Sequence, residues 1–408
     1  MKAREIERLF VHRAGERAGE LQRTEHGASF IYGVEYAAVH RGDASFAVAF
    51  QLPVRPEPFT TSGVNLHPFF AGLLPEGLRL RALVRSVKTS EDDLFTLLAQ
   101  VGEDAIGDVA LTVTDAVPRE RSLEIDEAGL AAVSFRELLE RSLEYGDDTT
   151  HSTMSGAQPK VSAAMISFPV RSRARGAAYL LKLTPSEYPR LVENEAFFMK
   201  VARSAGLETA SAKLVHDARG ESALLVQRFD RQVRADGSIA RLHQEDACQL
   251  LNRYPADKYR LKLADVAGAL DVCEAPLVAK FEMLRLQAFS YLIANGDLHA
   301  KNVSVLSHGH SVGLSPAYDV LSTLPYGDAK LALSMEGRDD RLRAKDFIAF
   351  GERLGIQPPA TKRMLAKLID CVGPWTERLS EIGLDAKKSR HLERVMRERL
   401  DALAPAVS

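Results

Sequence analysis

Short apolar blocks set off by Gly and Pro dominate the first third of the chain, and apolar residues at helical spacing dominate the last. Ile6 to His12 and Glu20 to Arg23 predict a hairpin across Gly15 to Gly19, and Ser45 to Leu52 predicts a further strand closed by Pro53, Pro56 and Pro58. Helical spacing follows from Pro68 to Lys88. Ser90-Glu-Asp-Asp93 reads as a capping box for a helix stopped at Gly102, and Val109 to Thr114 returns as a strand. Beyond a connector at 116–133, Ser134-Phe-Arg-Glu137 caps another helix. Val161 to Val170 and Tyr179 to Leu183 suit strands, Glu193 to Ser204 a helix, and Ser211 to His216 with Ala223 to Gln227 a second hairpin. From Leu242 the chain reads as helical: His243 to Leu251, Leu261 to Val272, then Pro276 to Ile293 with Leu277, Phe281, Leu284 and Ala288 on one face. A hairpin (Val303 to Leu306, Ser311 to Leu314), a short strand (Lys330 to Ser334) and helices from Lys345 to Leu403 complete an α+β pattern.

Composition narrows the class without naming a function. A chain of 408 residues exceeds what one hydrophobic core organises, so more than one domain is expected. Lys+Arg 53 against Asp+Glu 55 leaves a net charge of -2, which disfavours stand-alone binding to nucleic acid. Cys248, Cys273 and Cys371 are scattered, with no Cys-x-x-Cys pair, which fits a reducing cytoplasm. No apolar run approaches membrane-spanning length, so a cytoplasmic location is expected.

The chemistry concentrates after the Pro276 helix, in Asn295-Gly-Asp-Leu-His-Ala-Lys-Asn302, with Asp319 following 17 residues later. Asp297, Asn302 and Asp319 stand in the order a phosphoryl-transfer site needs: an acid to accept a hydroxyl proton, then an amide and a second acid for magnesium. Taken locally, the alternative reading is Asn-Gly-Asp as a turn and Asp319 as a helix cap. Upstream, Gly146 to Lys160 is polar and rich in hydroxyls, which suits either a phosphate-covering loop or a connector; it is neither a Walker A nor a Gly-x-Gly-x-x-Gly sequence. Lys182 in its apolar strand is either an edge residue or a phosphate ligand, and Glu195 is spaced to pair with it. Gln227 and Phe229 either seat a purine or pack as core.

Together these residues resemble a known family, the HipA-type serine/threonine kinases of bacterial toxin–antitoxin systems. The resemblance rests on Ser155-Gly-Ala-Gln-Pro-Lys160, Leu181-Lys-Leu183, Asn194-Glu195, Gln227-Arg-Phe-Asp-Arg231, Gln244-Glu-Asp246, the Asn295 to Asn302 run, Tyr318-Asp319 and Leu331 to Met335. Leu73-Leu-Pro75 and Val101 to Gly107 extend it into the amino-terminal part. It implies a two-lobed protein-kinase-like domain with a small amino-terminal α+β subdomain: residues 1–115 facing an antitoxin, 116–235 a β-rich lobe, and 236–408 a helical lobe. It further implies ATP and Mg2+ as cofactors. Asp297 would be the general base, and Asn302 with Asp319 would hold the metal. Lys182 would reach the phosphates, paired with Glu195, and Ser155, Gly156, Ala157, Gln158, Pro159 and Lys160 would cover them. Gln227, Arg228 and Phe229 would hold the adenine, with His299, Ala300, Lys301 and Tyr318 at the nucleotide. Family toxins phosphorylate a serine on an aminoacyl-tRNA synthetase, most often the glutamyl enzyme, and so arrest growth. They pair with a small helix-turn-helix antitoxin (HipB-like), through which alone DNA is contacted.

Two departures from the family pattern are visible. Pro159 stands where an acid is usual, removing a charge and an N–H donor. The self-phosphorylated hydroxyl is expected at Thr153, with Ser155 as second candidate; phosphate there would add negative charge beside ATP and inhibit. Two other classes are compatible with this scaffold: a catalytically silent partner of the antitoxin serving in operon repression, and a small-molecule kinase.

Overall fold

A computed structural model describes residues 5–63, 65–118, 123–125, 129, 132–144, 165–172, 177–185 and 187–404. The amino-terminal unit is a five-stranded antiparallel sheet in the order β4-β3-β2-β1-β5, with β1 Arg8–Arg13, β2 Glu16–Thr24, β3 Gly27–Tyr32, β4 Phe59–Ser62 and β5 Val109–Thr112. Leu9, Val11, Leu21 and Phe30 alternate onto one face and bury against Phe69, Phe70 and Leu97 of the helical segments behind it. The expected strand at Ser45 to Leu52 does not form. Asp43 caps a 3-10 turn at Ala44–Phe46, and side chains take the backbone groups that a ladder would have used. Arg13 donates to the carbonyls of Ala47 and Ser45 at 2.9 and 3.0 Å, and the Val48 N–H donates to the Tyr32 hydroxyl at 2.8 Å. The next cap is Asp93, not Ser90: its carboxylate accepts from the Thr96 N–H at 3.3 Å to start Leu94–Val101.

The second sheet runs β6-β7-β8-β10-β9, with β6 Leu123–Ile125, β7 Ile166–Ser172, β8 Ala178–Leu183, β9 Ala212–His216 and β10 Ser222–Gln227. Lys182 on β8 lies opposite Leu224 of β10 and Ser167 of β7. The helix Leu191–Ser204 crosses from this sheet to the helical lobe, burying Val192, Phe198, Val201 and Ala202. It ends at Gly206, whose φ of +83° reverses the chain.

A two-stranded ribbon at the junction of the lobes (β11 Arg231–Val233, β12 Ile239–Arg241) precedes a three-stranded sheet, β13 His243–Asp246, β14 Ser304–His308 and β15 Ser311–Leu314. His243 to Asp246 thus pairs with Ser307 to Ser304 and is strand, where helix was expected; the helix begins only at Ala247, where an Asp246–Gln249 capping box sets it. The helix Pro276–Leu292 starts on a proline and runs through the core, followed by helices Ala344–Arg353, Pro358–Val372 and Ala386–Leu403. Lys330 to Ser334 is not a strand. Its Leu333 carbonyl accepts from Gln287 of the central helix at 2.8 Å, and a single bridge joins Ser334 to Lys262.

Candidate active site

The central helix delivers the chain into a loop whose shape is fixed residue by residue. Ala294 adopts a left-handed φ of +55°, and Asn295 folds its side-chain oxygen onto the Asp297 N–H at 2.9 Å. Gly296 is demanded by contact. A Cβ there would stand 2.7 Å from the Lys330 carbonyl oxygen, and its N–H donates to Thr323 Oγ1 at 2.6 Å. A 3-10 turn at Ala300–Asn302 closes the loop, and Asn302 Nδ2 donates to the Asp297 carbonyl at 2.9 Å. Asp297 and Asn302 are therefore locked to one another. Tyr318 ties the following segment down, its hydroxyl bridging the Lys301 carbonyl and Ser304 Oγ at 2.6 Å each. Asp319 then takes a left-handed φ of +54°, a conformation that non-glycine residues hold only where surroundings enforce it.

Lys182 connects the two lobes. Its ammonium lies 2.6 Å from Glu195 Oε1 and bonds Asp319 as well. Burial alone would discharge this lysine, but Asp319 and Glu195 hold it protonated and raise its pKa. Glu195 is fully buried, which pushes its carboxyl up to about 7 against the pull of Lys182. Its neighbour Asn194 exchanges two hydrogen bonds with the Ser322 backbone at 2.9 and 3.0 Å, so the helix carrying Glu195 is pinned just beyond Asp319.

A cavity of about 320 Å³ lies above these groups. Leu180, Val226 and Phe229 give it an apolar side, and Lys182, Asn302 and Asp319 a polar side. Phe229 stacks obliquely near Tyr318, ring centroids 5.7 Å apart. Gln227, His299, Lys301 and Tyr318 also line it, and Lys301 is held 2.5 Å from Asp246. Arg228 lines it too, but its guanidinium is turned onto Asp230 at 2.8 Å and Asp104 at 3.0 Å. Ala300 is buried behind the wall, with its N–H on the Lys258 carbonyl at 3.3 Å. Asp297 is wholly buried and does not line the cavity; the Tyr259 phenol donates to its carboxylate at 2.6 Å. Ser155 to Lys160 and Thr153 lie outside the described residues.

Chemically, this pocket offers an apolar slot on one side and the fixed cation of Lys182 on the other. Asn302 commits its amide nitrogen to Asp297, leaving its oxygen to join an Asp319 oxygen as hard ligands suited to Mg2+. No cluster of three or more His, Cys, Asp or Glu able to hold a metal occurs among the described residues, so phosphates and water would complete the shell. Sequence reasoning missed Tyr259, Asp246 as the partner of Lys301, and the Glu76–Lys258 ion pair at the cavity wall. Spacing does not reveal them, since each acts across more than thirty residues of chain.

The family profile "HipA-like C-terminal domain" matches residues 152–375, and "HipA N-terminal domain" matches 9–112. Y4mE of Sinorhizobium fredii, whose name assigns it to the kinases, is 29% identical over 402 residues, covering 92% of this chain and 94% of that one. The serine/threonine-protein kinase toxin HipA of Shewanella oneidensis is 26% identical over 333 residues, covering 74% and 75%. Among solved structures, Shewanella oneidensis HipA in complex with HipB and operator DNA superposes with a TM-score of 0.76 at 22% identity, over 98% of both chains. The two-lobed kinase-like fold with an amino-terminal α+β unit follows from that likeness.

Proposed function

We propose a function from one premise: the chain belongs to the HipA-like family. It is a serine/threonine protein kinase acting as the toxin of a toxin–antitoxin pair. The observation that carries this is the set at the cavity: Lys182 bonded to both Glu195 and Asp319, above a loop that fixes Asp297 against Asn302. The chain carries Lys182, Asp297, Asn302 and Asp319, the residue types that phosphoryl transfer would use, which supports an active kinase over a silent partner. ATP would lie with its base against Leu180, Val226 and Phe229 and its phosphates toward Lys182. Asn302 and Asp319 would hold Mg2+, which when bound supplies charge neutralisation on the phosphates. Lys182, kept charged by Glu195, orients the phosphate chain, and Asp297 accepts the proton of the attacking hydroxyl.

The finer reading follows the family. The protein substrate is an aminoacyl-tRNA synthetase, the glutamyl enzyme first among candidates, and phosphate on Thr153 or Ser155 inhibits the kinase. Residues 1–115 face a HipB-like helix-turn-helix antitoxin, the β-rich lobe spans 116–235 and the helical lobe 236–408. The net charge of -2 supports contact with DNA through that antitoxin alone, in the cytoplasm. The test is intact mass after incubation with Mg-ATP, wild type beside Asp297→Ala. The wild type is expected to gain phosphate, mapping to the 146–160 loop, and the variant none. No gain in wild type, together with no ATP-induced rise in Tm, would sink the kinase reading.

A further inference from the structure

The base of the proposed reaction is not exposed to its substrates. Asp297 is wholly buried, and one of its oxygens already accepts a hydroxyl proton, that of Tyr259 at 2.6 Å. That is the hydrogen bond an acceptor side chain must make with its base before transfer. The phenol remains a donor here, because burial and the adjacent Asp297 carboxylate both oppose its ionisation. The Tyr259 ring is set edge-on to His299, centroids 4.9 Å apart with an interplanar angle of 76°. It is carried on a strap between the 3-10 turn Pro255–Asp257 and the helix Leu263–Ala269. The preceding residue, Lys258, anchors that strap twice: its ammonium pairs with Glu76 of the amino-terminal unit, and its carbonyl accepts the Ala300 N–H at 3.3 Å. Glu76, Lys258 and His299 all line the proposed nucleotide cavity, so the ring stands at its wall.

We propose that Tyr259 marks the acceptor site: its phenol holds the position of the incoming serine or threonine hydroxyl and is displaced by it. The acceptor side chain then enters between His299 and the Glu76 edge of the amino-terminal unit. This deepens the kinase reading and rests on Asp297 as its base. It also gives Tyr259 a selective role. While the phenol covers Asp297, water is kept from the base, and ATP is not spent without an acceptor. In that side reaction a water oxygen bonds the γ-phosphorus and the bond from phosphorus to the β–γ bridging oxygen breaks. The water proton passes to Asp297, and the electron pair leaves with ADP.

The experiment measures inorganic phosphate released by the full chain from Mg-ATP, with water as the only acceptor, in wild type, Y259F, D297N and the double variant. Release is expected to rise several-fold in Y259F and to fall to the same floor in D297N and the double variant. A Y259F rate at or below wild type, with the ATP-induced rise in Tm intact, overturns the gate while D297N at the floor leaves the base in place. D297N hydrolysing like wild type overturns the base, and the gate with it. Should Y259F fail to melt cooperatively, Glu76→Gln decides. It frees the strap from the far side, so a rate above wild type supports the gate and an unchanged rate overturns it.

Discussion

Lys182 carries two carboxylates on one ammonium, and this arrangement sets what each residue at the site can tolerate. Glu195 Oε2 is buried with no hydrogen-bond partner among the described residues, so that acid depends on the ion pair at Oε1. Lys182→Met would leave the buried Glu195 without its cation, a loss on the order of 3–5 kcal/mol for breaking a buried pair. It should also abolish the rise in Tm expected of the wild type with Mg-ATP, read by thermal unfolding with and without nucleotide. Asp297 does not line the cavity proposed for the nucleotide, and the same measurement separates the two proposed roles. Asp297→Ala should lower phosphoryl transfer by roughly 10²–10⁴-fold and keep the nucleotide-induced rise. If that rise disappears with Asp297, the residue supports binding and not proton transfer.

At the scale of elements, what the chain spells locally is what the sequence made legible. The central helix, the strand bearing Lys182, the Glu195 helix and the 304–314 hairpin each follow from periodicity, proline and glycine within their own span. Ser45 to Leu52 and His243 to Asp246 read otherwise because distant groups decide them. Arg13 and Tyr32 take the backbone of the first, and β14, some sixty residues on in sequence, pairs with the second. Tyr259 was illegible for the same reason: nothing near it in sequence points toward Asp297. The loop after the central helix shows local and distant demands meeting at one residue. Gly296 reads as a turn glycine, yet the constraint on it is the Lys330 carbonyl oxygen, 2.7 Å from any added Cβ. Since the Cβ is fixed rigidly to its own backbone and the oxygen is a backbone atom, Gly296→Ala must move the loop. A loss of about 1–3 kcal/mol is expected from such overpacking, with kinase activity falling further than stability because Asp297 is the next residue. Activity equal to wild type in a folded Gly296→Ala protein would show that the loop position is not critical.

The whole molecule is held together by buried charge where the amino-terminal unit meets the lobe behind the cavity. Arg228 bonds Asp230 and Asp104, Arg231 bonds Asp230 at 2.7 Å and the Gly107 carbonyl at 2.7 Å, and the Gly107 N–H returns to Asp230 at 2.9 Å. A second set, Arg13 with Asp108 and His243 between Asp108 and Glu245, lies across the same boundary. Two guanidiniums face two carboxylates in the first set, so it is neutral as a unit, and removing any member leaves a charge out of water. Asp230 is the hub. Despite its burial, Arg228 and Arg231 hold its carboxyl down to about 2. A depressed folded pKa contributes stability that is present above the unfolded value near 4 and lost as pH falls from there toward 2. Roughly two pH units at about 1.4 kcal/mol each give an acid-sensitive contribution on the order of 2–3 kcal/mol. Asp230→Asn should flatten the fall in stability between pH 4 and 2. At neutral pH it should destabilise the protein, because Arg228 and Arg231 then share Asp104 alone. The two units are also expected to lose their common transition, so that calorimetry at pH 7 shows one endotherm for the wild type and two for Asp230→Asn. A single endotherm with an unchanged acid limb would mean that the apolar contacts, and not this cluster, join the amino-terminal unit to the kinase lobes.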